Sequence, residues 1–116
     1  MRTRKNPVLE ESFSFALQVL DVARELNETR QFVLAGQVCR SGTSIGANIR
    51  EAQRAQSKAD FIHKMNIALK EAEETDYWFS LIDRKVLKIP QEMTDELDEL
   101  IRLLVSIINS AKRKNN

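Results

Sequence analysis

The sequence predicts an all-α protein, an antiparallel up-down four-helix bundle, on three observations. Apolar residues recur at spacings of three and four in four successive blocks. No stretch alternates β-branched and polar residues as a half-buried strand does. The connections are short, which places consecutive helices antiparallel. With 116 residues, 42% hydrophobic and 30% charged, and only three Gly and two Pro, the chain reads as one helical domain spanning 1–116. Size scaling leaves about two-thirds of the surface of such a chain buried, enough for a core without staples.

The first block, about 8–27, opens at Asn6-Pro7, with Pro7 near the first turn and Glu10 and Glu11 just inside it. Phe13, Leu17, Leu20 and Ala23 form one apolar stripe, and Phe15, Val19, Val22 and Leu26 a neighbouring one. An arc that wide implies more than one packing partner. Asn27 is read as the end of this helix. The second block, about 31–56, carries the stripe Leu34, Val38, Ile45, Ile49 and Ala52. The third, about 58–87, starts at Ser57-Lys58-Ala59-Asp60, an N-cap followed by an acid three residues on. Its stripe is Phe61, Met65, Ala68, Ala72, Thr75, Phe79, Ile82 and Val86. Lys88-Ile89-Pro90 breaks it, because proline cannot continue a helix. The fourth, about 90–113, runs through Met93, Leu97, Leu100, Leu104, Ile107 and Ala111, with acids early and Lys112, Arg113 and Lys114 late, as the helix dipole favours.

Several function classes are excluded or disfavoured. No apolar run approaches the roughly 20 residues of a membrane span, so no membrane partner is expected. The N-terminus lacks the apolar core of a signal peptide, and the lone Cys39 suits a reducing cytoplasm, so a cytoplasmic location is expected. His63 is the only histidine, and the Glu-x-x-His pairs of di-iron bundles are missing, so neither a metal nor another cofactor is expected. Ser41 and Ser44 lack a His/Asp constellation, and Cys39 lacks an evident base. No enzyme emerges. Net charge is +1, too near neutral to announce a nucleic-acid partner, but the charge is patchy. Residues 1–7 carry Arg2, Arg4 and Lys5 without an acid, and between Thr29 and Arg50 the charged residues are Arg30, Arg40 and Arg50. Acids concentrate in Glu71 to Asp76 and Glu92 to Glu99.

The stretch Arg40 to Ala52, RSGTSIGANIREA, is unusual for a helix interior. Gly42 and Gly46 each cost a helix about 1 kcal/mol against alanine, a loss that close approach of another helix can offset. Ala35, Cys39, Gly42 and Gly46 make a band of small residues, and Arg40, Ser44, Asn48, Glu51 and Arg54 a polar one. These bands read either as a helix-packing groove beside a solvated face, or as a seat for a second subunit beside a polar groove or pore. The membrane GxxxG reading fails for want of an apolar setting. A phosphate loop fails for want of a Lys and a preceding strand. Glu71, Glu74 and Asp76 read as an acidic face that can pair with Arg40 or Arg54, and Tyr77-Trp78 as a core or interface anchor.

RSGTSIGANIREAQRAQSKADFIHKMNIALKEAEETDYWFSLI resembles the central signature of a bacterial four-helix-bundle family, the S23 ribosomal protein or 23S rRNA intervening-sequence protein family. The likeness rests on Arg40-Ser41, Ser44 to Ile49, Glu51-Ala52, Asp60-Phe61 and Glu71 to Trp78. It implies an up-down bundle assembled into a ring-shaped homopentamer with a central channel. It also implies similarity to the accessory protein of diversity-generating retroelements, which assists a reverse transcriptase and binds nucleic acid through basic surface. Two functions follow as expectations. The first is an oligomer binding RNA or DNA through Arg40, Arg50, Arg54, Lys112, Arg113 and Lys114. The second is a scaffold presenting a groove to a partner polypeptide. Ser41, Gly42, Ser44, Gly46, Asn48, Glu51, Glu74, Tyr77 and Trp78 would form the groove or interface in either case.

Overall fold

The computed structural model describes residues 6–114, among which there are four helices and no strand. They are α1 (Pro7–Glu28), α2 (Phe32–Ala52), α3 (Lys58–Lys85) and α4 (Gln91–Arg113). Arg2, Arg4 and Lys5 lie outside the described residues. The helices pack cyclically, α1 on α2, α2 on α3, α3 on α4 and α4 back on α1. Asn6 Nδ2 donates to Gln53 Oε1 at 3.1 Å, so the start of α1 lies at the end of α2. Lys58 Nζ meets the carbonyl of Lys114, so the start of α3 lies at the end of α4. The bundle is long and narrow, 51 × 31 × 22 Å.

Helix ends follow local chemistry. Asn6 Oδ1 accepts from the backbone N–H of Leu9 at 3.3 Å and Pro7 takes the first helical position, where its missing N–H costs nothing. Asn27 does not end α1. The chain turns at Arg30, in the left-handed region at φ 65°, while Gln31 N–H bonds the Leu26 carbonyl and Arg30 N–H that of Asn27. This is a Schellman closure with arginine where glycine is usual.

The second helix stops at Ala52, four residues short of the expected 56. Gln53, Arg54 and Ala55 instead bond three residues back, and Ser57 is extended so that its hydroxyl can accept from Asp60 N–H at 3.0 Å. The Asp60 carboxylate reaches back to Gln56 N–H at 3.1 Å. With no Gly or Pro there, apolar periodicity alone overran the end. After α3, Asp83 Oδ1 accepts from Ile89 N–H at 2.8 Å, which together with Lys88 holds its carboxyl below the usual carboxylate range.

The core is built from Phe15, Val19, Val22 and Leu26 of α1, Val38, Ile45 and Ile49 of α2, Met65, Phe79 and Ile82 of α3, and Leu97, Leu100 and Leu104 of α4. Phe15 and Phe79 meet with ring centroids 5.9 Å apart. The fourth helix buries Ile108 in place of the expected Ile107, which is half-buried. Of the two α1 stripes only the second, with Ala23, is inside. Phe13, Leu17 and Leu20 are 55%, 52% and 45% exposed.

The glycines explain the closest seam. A Cβ on Gly42 would lie 2.7 and 2.8 Å from the two γ carbons of Val19, and one on Gly46 would lie 3.3 Å from Ser12 Oγ. It is α1 of the same chain that packs against both glycines, so of the two readings the helix-packing one holds here, and Gly46 also borders a groove between α1 and α2. Gly42→Ala is expected to destabilise the fold by about 1 kcal/mol, and by up to about 2. Overpacking against a fully buried, β-branched Val19 costs about 1–3 kcal/mol and outweighs the roughly 1 kcal/mol of helix propensity gained. Chemical denaturation checks it, and an unchanged midpoint would contradict the close approach.

Candidate functional site

Two groups of polar residues stand out, one along the α2–α3 seam and one at an end of the bundle. At mid-height of α2, Arg40 reaches across to α3. Its Nη1 lies 3.1 Å from Glu71 Oε1, and its Nη2 contacts Glu74. Glu74 Oε2 also accepts from the indole Nε1–H of Trp78 at 3.0 Å, and the exposed Tyr77 ring stands edge-on to Trp78 with centroids 5.1 Å apart. The guanidinium is therefore already held by two carboxylates, and a phosphate would have to displace them.

Beneath this latch Ser41 and Thr75 are fully buried, with Thr75 Oγ1 2.9 Å from Ser41 Oγ and 2.8 Å from the Glu71 carbonyl. One hydroxyl proton serves each contact if Thr75 donates to the carbonyl and Ser41 to Thr75. Ser41 is thus an internal polar link and not a groove residue, and Gly42 lies beneath α1. Asn48 Nδ2 donates to the Ser44 carbonyl one turn earlier on α2 at 2.8 Å, and Glu51 is exposed. Asp76 and His63 are exposed on α3. Among the described residues no group of three or more His, Cys, Asp or Glu is disposed to hold a metal ion, and no helix is long and apolar enough to cross a membrane.

The other predicted cations gather elsewhere. Arg50 is in the last turn of α2 and Arg54 in the turn beyond it, while Lys112 and Arg113 finish α4 and Lys114 caps it. The Asn6–Gln53 and Lys58–Lys114 contacts put these residues at one end of the bundle. Lys58 and Lys64 join them there. The acids at this end are Glu10, Glu11, Glu51 and Asp60, and Asp60 is engaged with Lys64 at 3.6 Å and with Gln56. Arg40 is not part of this group. It sits ten residues, about 15 Å of helix rise, from Arg50 and faces α3, whereas Arg50 lines a groove between α1 and α2 with Phe13, Thr43 and Ala47.

The sequence reading missed Lys58, Lys64 and the groove between α3 and α4 near Phe61. Only the antiparallel pairing brings residues 58–61 beside 106–114, and spacing within one helix carries no trace of that. At the α1–α4 seam, Glu11 faces Glu99 and Glu96, and Gln18 Nε2 donates to Glu96 Oε1 at 2.7 Å. Burial, and then those two carboxylates, push the Glu11 carboxyl up.

The family model of the 23S rRNA-intervening sequence protein matches residues 4–110, nearly the whole bundle. The chain belongs to that family. A solved member, a protein of unknown function from the S23 ribosomal protein family of Bacteroides thetaiotaomicron, superposes with a TM-score of 0.82 at 48% identity. The match covers 87% of this chain and 97% of that one. No curated protein matches.

In this family member the buried Ser41–Thr75 link is testable. Thr75→Val keeps the shape but strands the Ser41 hydroxyl, and is expected to cost about 1–3 kcal/mol. Adding Ser41→Ala should recover most of that loss, because a buried polar group without a partner costs more than a matched apolar pair. A double-mutant cycle by urea unfolding measures it, and additive losses would refute the link.

Proposed function

We propose that the protein is a non-catalytic, self-associating RNA-binding bundle, working in the cytoplasm as a ring-shaped homopentamer. The observation that carries the RNA reading is the gathering of Arg50, Arg54, Lys58, Lys112, Arg113 and Lys114 at one end, drawn from around the α2–α3 connection and from the end of α4. With a net charge of only +1, that concentration leaves the rest of the surface correspondingly acidic, so the end is a local anion site. The family's description, with its tie to ribosomal RNA, favours RNA over DNA. Lys112 and Arg113 also complement the dipole of α4, which accounts for their presence but not for Arg54 or Lys58.

Self-association is supported by apolar surface that the single chain leaves in water. Phe13, Leu17 and Leu20 form an exposed stripe on α1, and Phe32 and Val33 are exposed at the start of α2. Gly36 has nothing within 4 Å of an added Cβ, bare helix backbone with no occupant from its own chain. A closed ring joins unlike faces, and the exposed Tyr77 and Leu81 on α3 offer a second apolar face. In a pentamer the basic ends would lie on one side of the ring and add their fields.

A partner polypeptide on the Phe13–Leu20 stripe is the second reading. Light scattering at micromolar concentration separates the two. A pentamer that Leu17→Glu converts to folded monomers supports the ring, whereas a monomeric wild type removes it and leaves the scaffold reading. For RNA, the logarithm of affinity is expected to fall linearly with the logarithm of salt, by about 0.7 per neutralised phosphate on a single strand. Replacing Lys112, Arg113 and Lys114 with alanine should flatten that slope, while Arg40→Ala should leave it unchanged. Absence of binding at low salt, or binding indifferent to salt, would overturn the RNA reading.

A further inference from the structure

Resting on the RNA reading, we propose that the groove between α3 and α4 at the basic end receives a single unpaired nucleobase, so that the protein selects looped or single-stranded RNA over duplex. The groove has a volume of about 560 Å³, within the roughly 300–1,000 Å³ of small-ligand sites. Phe61, Ile107 and Ala111 give it apolar lining, Ser110 adds a hydroxyl, Lys58 and Lys114 supply cations, and no acid lines it.

Each part answers a part of a nucleotide. The Phe61 ring and the aliphatic neighbours suit the flat face of a base, which is what sequence-tolerant single-strand binders use. The Ser110 hydroxyl can donate to or accept from a base edge. The ammonium of Lys58 contacts the carbonyl of Lys114, which anchors it beside the groove. One of its three donors is used there, and the others remain for a phosphate. A base inside an RNA duplex is stacked and paired and cannot enter such a groove, whereas one in a loop can.

Size and charge speak against an apolar helix as the occupant. The α4 side of the groove runs from Ser106 to Lys114, about 12 Å of helix rise, where three turns of a docked helix need about 16 Å. An acyl chain would leave the serine and lysine contacts unused. The two lysines, with Lys112 and Arg113 beside them, favour an anion with a flat apolar portion.

The test is fluorescence anisotropy with the full chain, labelled oligoadenylate as single strand, and the same strand annealed to oligouridylate. Phosphate density alone favours the duplex, so the expected result, tighter binding of the single strand, opposes the plain electrostatic trend. Phe61→Leu removes the ring while keeping an apolar side chain, and Ser110→Trp, at a half-buried position of the lining, fills the groove. Both are expected to weaken single-strand binding about 5- to 150-fold, the range for losing one stacked base, with the salt slope unchanged and the thermal midpoint of Ser110→Trp preserved. Equal affinity for the two forms, or no effect of either substitution, overturns the pocket while leaving RNA binding intact. Failure of the wild type to bind either form overturns the RNA reading, and the pocket with it. Binding of a polyglutamate peptide that Ser110→Trp abolishes, with RNA affinity untouched, reassigns the groove to acidic protein segments and likewise overturns the proposal.

Discussion

The contact on which the bundle depends is the meeting of Val19 with the bare backbone at Gly42. Both sides of it are fully buried, one β-branched and one without a side chain, so the two helices approach along a line that any larger residue would push apart. That approach places Ser12 over Gly46 and turns the Phe15 stripe inward onto Phe79. It also turns Phe13, Leu17 and Leu20 outward. The buried and exposed stripes of α1 are therefore two results of one rotation, set by which residue of α2 has no Cβ.

The seams around the bundle are made differently. Between α1 and α2 the fit is steric. Between α2 and α3 it is polar, with Arg40 bridging two carboxylates above a buried hydroxyl pair. Between α1 and α4 like charges oppose one another, and Glu11, Glu96 and Glu99 are kept tolerable by partial solvation and by Gln18. This last seam joins helices distant in the chain, and it lacks both the tight steric fit and the ion-pair latch of the others.

Much of this was legible in the sequence, and the reasons for success and failure are specific. Helix positions followed from the 3–4 spacing, and the start of α3 from Ser57 and Asp60, because capping is decided within four residues. The glycines announced a close approach, and periodicity grouped Ser44, Asn48 and Glu51 on one side of α2. The identity of the helix that fills the Gly42 groove was not legible, since a second copy and α1 satisfy the same pattern. Nor was the stop at Ala52, where a turn stabilised by Gln53 and Asp60 replaces helix without any breaker residue. The site was harder still. Arg40 and Arg50 share a helix, and only the positions of α1 and α3 reveal that one is locked in ion pairs while the other lies beside the exposed α1 stripe. The pairing of Phe61 with Ile107 depends on the whole topology.

The even number of antiparallel passes brings Asn6 and Lys114 out at the same end, the one carrying the cations. Anything fused to either terminus, including a purification handle or a fluorescent reporter, would hang over that charged surface and compete for it. The reversal at Thr29 to Gln31 lies at the far end, held by its own backbone bonds. Labels and tethers for immobilisation belong there, where they leave the opposite end open to solution.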